Sequence, residues 1–209
     1  VPSRAGTYTL RAVWKDLDPS VAEVKLAGGS ASQDLTLRRP QRPAEIQNLD
    51  FEGHGPDPGY IVGWKKWGTI DGICEQGKTI FADTTTHGGT RFLHSGSGSN
   101  TKSGGVFQTV TVPPGKRHRF SGWFRTMQVG GEKGQTATRF GIDPTGGDDP
   151  AAKSVVWSAF AWHEGSWKEA YTEAAAKGKQ ITVFIEFQQI QGNEWNANWV
   201  DDVALTPAD

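Results

Sequence analysis

Asn198-Trp199-Val200-Asp201-Asp202-Val203-Ala204-Leu205 reads as a β-strand that carries two adjacent carboxylates where a strand should be apolar. Successive side chains of a strand point to opposite faces. Trp199, Asp201, Val203 and Leu205 therefore share one face, and Val200, Asp202 and Ala204 the other. Either both Asp sit at a solvated strand end, or one of them points into the apolar side. A buried carboxylate needs a partner or a metal. Far upstream, Asn48-Leu49-Asp50-Phe51-Glu52-Gly53 reads as a second short strand ending in acids. Carboxylates that converge with backbone carbonyls suit Ca²⁺.

The segments between these two stretches alternate in the same way. Val106–Val112 is a strand closed by Pro113-Pro114-Gly115, and Arg119–Val129, Thr136–Ile142, Ser154–Trp162 and Lys179–Ile190 follow. Ile46–Phe51, Thr79–Ala82 and Arg91–His94 are shorter candidates. Trp167–Ala176 has helical propensity as well as strand pattern. With 27 Gly to supply turns, the pattern fits an all-β fold better than a helical bundle.

Residues 1–42 read as a separate small unit of three strands, Gly6–Trp14, Ala22–Leu26 and Asp34–Leu37, followed by an Arg- and Pro-rich linker around Arg38–Pro43. Three strands with open edges call for completion. Preceding residues, the main unit at 43–209 and another chain are the three sources.

The order Asn48–Gly53, then Trp64 to Trp67-Gly68, then Gln108–Gly115, then Asn198–Leu205 resembles the galactose-binding-like jelly rolls, which include the carbohydrate-binding modules of families four, nine and twenty-two. The resemblance covers roughly residues 46–207. It implies an antiparallel two-sheet jelly-roll sandwich with a structural Ca²⁺ near the first and last strands. Carried over by position, Glu52 and one of Asp201 and Asp202 are its carboxylate ligands. The first 42 residues resemble part of a carboxypeptidase-regulatory-like β-sandwich.

The resemblance implies a non-catalytic carbohydrate-binding module in an extracellular or cell-surface setting. A polysaccharide or glycan is the expected partner. The alternative is a structural or adhesive subunit of an extracellular assembly or filament, joined to other copies of itself through the N-terminal strands. Nine Trp exceed what the core of such a sandwich needs, and aromatic rings pack on the apolar faces of sugars. Trp195, in the polar stretch Gly192–Asn196, is the first candidate; Trp162, Trp167, Trp64 and Trp67 follow. Trp123 and Trp157 sit among apolar neighbours and read as core. Gln108, Arg125, Arg139, Gln188 and Gln189 line either a concave sheet or a solvated outer face.

A net charge of −1 provides no field for nucleic acid. No apolar run reaches the roughly 20 residues of a membrane span. A single cysteine, Cys74, excludes an internal disulfide framework. The five His show no metal-ligand spacing, and no nucleophile elbow is present, so no enzyme is expected. The loop Asp143–Asp149 holds three carboxylates and is a second, weaker metal candidate.

Overall fold

The computed structural model describes residues 6–12, 20–26, 45–53, 55, 60–75, 85–97, 101–130, 134–190 and 195–208. The chain divides into two compact units, Val1–Arg42 and Pro43–Asp209. In the first, β1 (Gly6–Ala12) pairs antiparallel with β2 (Ser20–Leu26), with Gly6 opposite Leu26. The expected strands at 34–37 and 79–82, and the linker at 38–43, lie outside the described residues.

Among the described residues the second unit is an all-β sandwich of two five-stranded antiparallel sheets. Its strands are β3 (Lys65–Gly68), β4 (Gly72–Glu75), β5 (Arg91–Ser97), β6 (Lys102–Thr111), β7 (Arg117–Val129), β8 (Thr136–Asp143), β9 (Val156–Trp157), β10 (Lys168–Ala175), β11 (Gln180–Gln189) and β12 (Trp195–Pro207). The front sheet has the order β10-β7-β12-β5-β4, and the back sheet β3-β6-β11-β8-β9. Neighbours in the sheets are distant in sequence, as in a jelly roll.

Alternation decides what faces the core. In the back sheet Val106, Val110, Phe140, Ile142, Ile181, Val183, Ile185 and Phe187 point inward. From the front sheet come Leu93, Phe120, Phe124, Val200 and Val203. Phe120 and Phe140 meet edge-on between the layers, with ring centroids 5.6 Å apart. Two buried hydrogen bonds also cross the sandwich: Thr136 Oγ1 to Asn196 Oδ1 at 3.0 Å and Thr138 Oγ1 to Asn198 Oδ1 at 3.1 Å. They satisfy polar groups that are costly to leave unpaired in the core.

Two sequence expectations change. Residues 46–51 form a turn, with Asn48 and Phe51 at positive φ. Asn48 closes it by side-chain bonds to Gly53 N (2.7 Å) and Gly53 O (2.8 Å), a local bonding habit of Asn that competes with a sheet ladder. Of Ser154–Trp162, only Val156–Trp157 is strand, with a single further bridge from Ala161 to Thr138. Trp167–Ala176, ambiguous by propensity, is strand, because Lys168–Ala175 pairs along the edge of β7.

Candidate functional site

The outer face of the back sheet is built from residues the core does not take. Opposite the inward set, alternation leaves Lys65 and Trp67 on β3, Gly105 and Phe107 on β6, Phe184, Glu186 and Gln188 on β11, Arg139 and Gly141 on β8, and Trp157 on β9. The register assembles them into two rows across the strands. One runs Lys65, Phe107, Phe184, Gly141, Trp157. The other runs Trp67, Gly105, Glu186, Arg139. The five strands span roughly 19 Å from edge to edge, at about 4.8 Å per step.

The two glycines let large rings lie against the sheet. A Cβ at Gly141 would sit 2.6 Å from Cε3 of Trp157, and one at Gly105 2.9 Å from Cζ2 of Trp67. Phe184 forms the floor, with Phe107 at 5.8 Å and Trp157 at 5.7 Å between ring centroids. It has no exposed surface, whereas Phe160, on the approach to β8, is 38% exposed.

Polar chemistry sits among these rings. Arg139 Nε donates to Glu186 Oε2 at 2.5 Å. The same guanidinium stands 4.1 Å from the Trp157 ring centroid and 4.3 Å from that of Phe160. It is therefore stacked close to two aromatic rings and tied to a carboxylate. Trp67 Nε1 is buried and has no hydrogen-bond partner among the described residues. Flat rings beside a fixed donor and acceptor suit a ligand with apolar ring faces and polar edges.

The five Trp singled out by sequence separate. Trp67 belongs to this face. Trp64 is 6% exposed and packs in the core against Phe51 at 5.7 Å. Trp167 lies on the outside of the front sheet, packed against Phe92, Ala197 and Trp199, with Nε1 donating to the Thr85 carbonyl at 3.1 Å. Trp195 starts β12 in the front sheet and is 47% exposed. Trp162 follows the Ala161 bridge and is partly buried.

Trp157, read from its neighbours as core, lies on the outer face instead. Trp123 is on the outer face of the front sheet, stacked on His87 at 4.2 Å. Gln108 turns inward and binds the backbone of Gln47 through both its amide atoms. Glu186 was not singled out, because an acid in an apolar strand signals its role only once its neighbours across the sheet are known.

Glu52, Asp201 and Asp202 converge on one loop. Asp201 Oδ2 accepts from His87 N (3.0 Å) and Gly88 N (3.1 Å), and Oδ1 from Asp202 N (2.9 Å). Asp202 Oδ2 pairs with His87 Nδ1 at 2.6 Å. Glu52 accepts from the backbone N–H groups of Thr90 and Arg91 and from the Thr90 hydroxyl. Burial pushes the Glu52 carboxyl up, but those hydrogen bonds and the Arg91 charge outweigh it and leave it below the ordinary value. Asp201 is pushed up to about 6, first by burial and then by the Asp202 charge, against the N–H bonds it accepts.

The calcium ion implied by the resemblance needs six to eight oxygen ligands around it. Here the carboxylate oxygens face N–H donors, and among the described residues no three His, Cys, Asp or Glu side chains are placed to hold a metal together. In this geometry the backbone N–H groups of residues 87, 88, 90 and 91 hold the carboxylates. The second candidate loop is also closed on itself: Asp143 accepts from Thr145 N, Thr145 Oγ1 and Ser154 Oγ.

The fold is an all-β jelly roll of the kind found in β-sandwich carbohydrate-binding modules. No family model matches the chain, and no curated protein is similar to it in sequence. Among solved structures, TmCBM61 in complex with β-1,4-galactotriose superposes with a TM-score of 0.54 at 15% identity, over 79% of this chain and 99% of that one. A cyclase from Fischerella sp. TAU in complex with 4-(1H-indol-3-yl)butan-2-one gives 0.56 at 14% identity, over 80% and 100%. Arabinose-bound MgGH51 α-L-arabinofuranosidase gives 0.53 at 14%, over 78% of this chain and 26% of that one.

Proposed function

We propose that the unit 43–209 is a non-catalytic carbohydrate-binding module that takes a polysaccharide or glycan on the outer face of its back sheet, in an extracellular or cell-surface setting. The observation that carries this is the placement of Trp67, Trp157 and Phe160 around the Arg139–Glu186 pair on a face outside the core. The galactotriose-bound TmCBM61 supports it at the level of fold. Among the described residues no helix is long and apolar enough to cross a membrane.

The test is affinity electrophoresis of the whole chain through gels containing xylan, β-1,4-galactan or β-glucan. Retention by at least one polysaccharide, lost in Trp67→Ala and Phe160→Ala but kept in Trp195→Ala, is the expected result. Retention lost only in Trp195→Ala moves the site to the front sheet.

A second reading concerns the first unit. Among the described residues this unit holds a sheet of two seven-residue strands, and such a sheet is marginal alone in water. Completion by another copy of this chain would make the protein an assembly subunit. Light scattering across a concentration range decides it: growth in mass that disappears when residues 1–42 are deleted is the expected sign.

A further inference from the structure

Arg139 and Glu186 are more than a surface ion pair. The pair is largely buried, with side-chain exposures of 26% and 10%. Arg139 uses Nε on Glu186 Oε2, and among the described residues neither its terminal amino groups nor Glu186 Oε1 has a further hydrogen-bond partner. The pair therefore keeps unused donors and an unused acceptor that a ligand can fill. Trp157 and Phe160 both lie against the guanidinium, with ring centroids 4.1 and 4.3 Å from its Cζ, and restrict its motion. Along the same row, Gly105 carries no side chain between Glu186 and the indole of Trp67, whose Nε1 is also unpaired among the described residues. The row therefore presents an acceptor at Glu186 and a forked donor at Arg139, beside the indole of Trp67.

Given the carbohydrate reading above, on which this rests, we propose that Arg139 and Glu186 together determine specificity, selecting a neutral glycan with two neighbouring hydroxyls over one bearing carboxylates. Neighbouring hydroxyl oxygens accept from the guanidinium fork, and one hydroxyl hydrogen is donated to Glu186 Oε1. A neutral diol does this without adding charge to a pair that already sums to zero. A uronate carboxylate also fits the fork, but it places a second anion beside Glu186, and like charges at such a distance repel. Lys65 stands over Phe107, in the other row. Lys in place of Arg139 keeps the charge but loses both the fork and the stacking.

The experiment compares wild type, Arg139→Lys, Glu186→Gln and Trp67→Ala on gels containing xylan, β-1,4-galactan, β-glucan and polygalacturonate, with far-UV circular dichroism on each variant. Wild type is expected to be retained by a neutral polysaccharide and not by polygalacturonate. Arg139→Lys is expected to weaken neutral retention roughly tenfold or more. Glu186→Gln keeps the side-chain shape, so folding is preserved, and it is expected to weaken neutral retention and to gain retention by polygalacturonate. Wild-type retention by polygalacturonate overturns the specificity. So does neutral retention that depends on Trp67 but is unchanged in both Arg139→Lys and Glu186→Gln, and in that case the carbohydrate reading survives. Retention by no polysaccharide overturns both.

Discussion

Val200 and Val203 are three residues apart in one strand, yet both are buried in the same core. Strict alternation would place them on opposite faces. A β-bulge makes the difference: the register passes from Asp201 opposite Trp123 to Ala204 opposite Ser121, and Asp202 takes a φ of 44°. The bulge leaves Asp201 on the outer face with Trp199, turns Val203 into the core and lets Val203 N donate to the Leu49 carbonyl at 2.8 Å.

That bulge is testable through Asp202. A β-branched residue at positive φ is strained, so Asp202→Val should lose about 1–3 kcal/mol. Asp202→Gly keeps the backbone conformation and loses only the bond to His87, so it should lose less. Urea unfolding of both variants measures the difference, and equal losses would remove backbone strain as the cause.

The clasp around residues 87–91 should hold without an ion. EDTA is expected to leave the melting temperature unchanged. Glu52→Ala strips the acceptor from two backbone N–H groups and the Thr90 hydroxyl, and is expected to lower it by several degrees, for a loss of about 1–3 kcal/mol. A drop with EDTA that Ca²⁺ restores would show that the clasp closes around a cation after all.

His118 and Asp201 pull the pH dependence in opposite directions. His118 is buried with neither ring nitrogen paired among the described residues, and burial holds its pKa below 6.5. Its contribution is complete above about pH 6.5 and is lost as pH falls toward the folded value. Asp201 is raised from 3.8 to about 6. Its contribution is full below 3.8 and is lost as pH rises through about 6, a difference of about 2–3 kcal/mol at 1.36 kcal/mol per unit. Thermal unfolding from pH 4 to 8 should therefore show His118→Phe gaining on wild type as pH falls below 6.5. Asp201→Asn should fall behind wild type between about pH 6 and 4. A constant offset for either variant would mean that its group does not titrate differently on unfolding.

Gly141 should act through Trp157. A Cβ there meets the indole at 2.6 Å, so Gly141→Ala must lift the ring away from the sheet and disturb the guanidinium stacked on it. Retention on a polysaccharide gel is expected to fall several-fold, with a shift in tryptophan emission. Unchanged retention together with a shifted emission would show that the position of Trp157 does not matter to the ligand.

Much of the fold is legible from local pattern. The long strands β6, β7, β8 and β11 follow from alternation and from Pro113-Pro114-Gly115, because side-chain period and turn chemistry are properties of adjacent residues. The turn at 46–51 was harder to see, because the Asn48 side chain outbids a ladder that the apolar pattern suggests. Trp157 was misplaced because apolar neighbours show that a residue is sheltered, not on which side of the sheet.

By itself the chain's order of residues determined the all-β class and the main strands, and it marked Glu52, Asp201, Asp202 and Trp67 as residues to follow. Only the tertiary structure decided which face of each strand is core, and it alone brought Trp67, Glu186, Arg139, Trp157 and Phe160 together. The physical reason is register. Alternation states which residues share a face, but a row across five strands depends on pairings between segments far apart in the chain, and one bulge at Asp202 is enough to reverse a face.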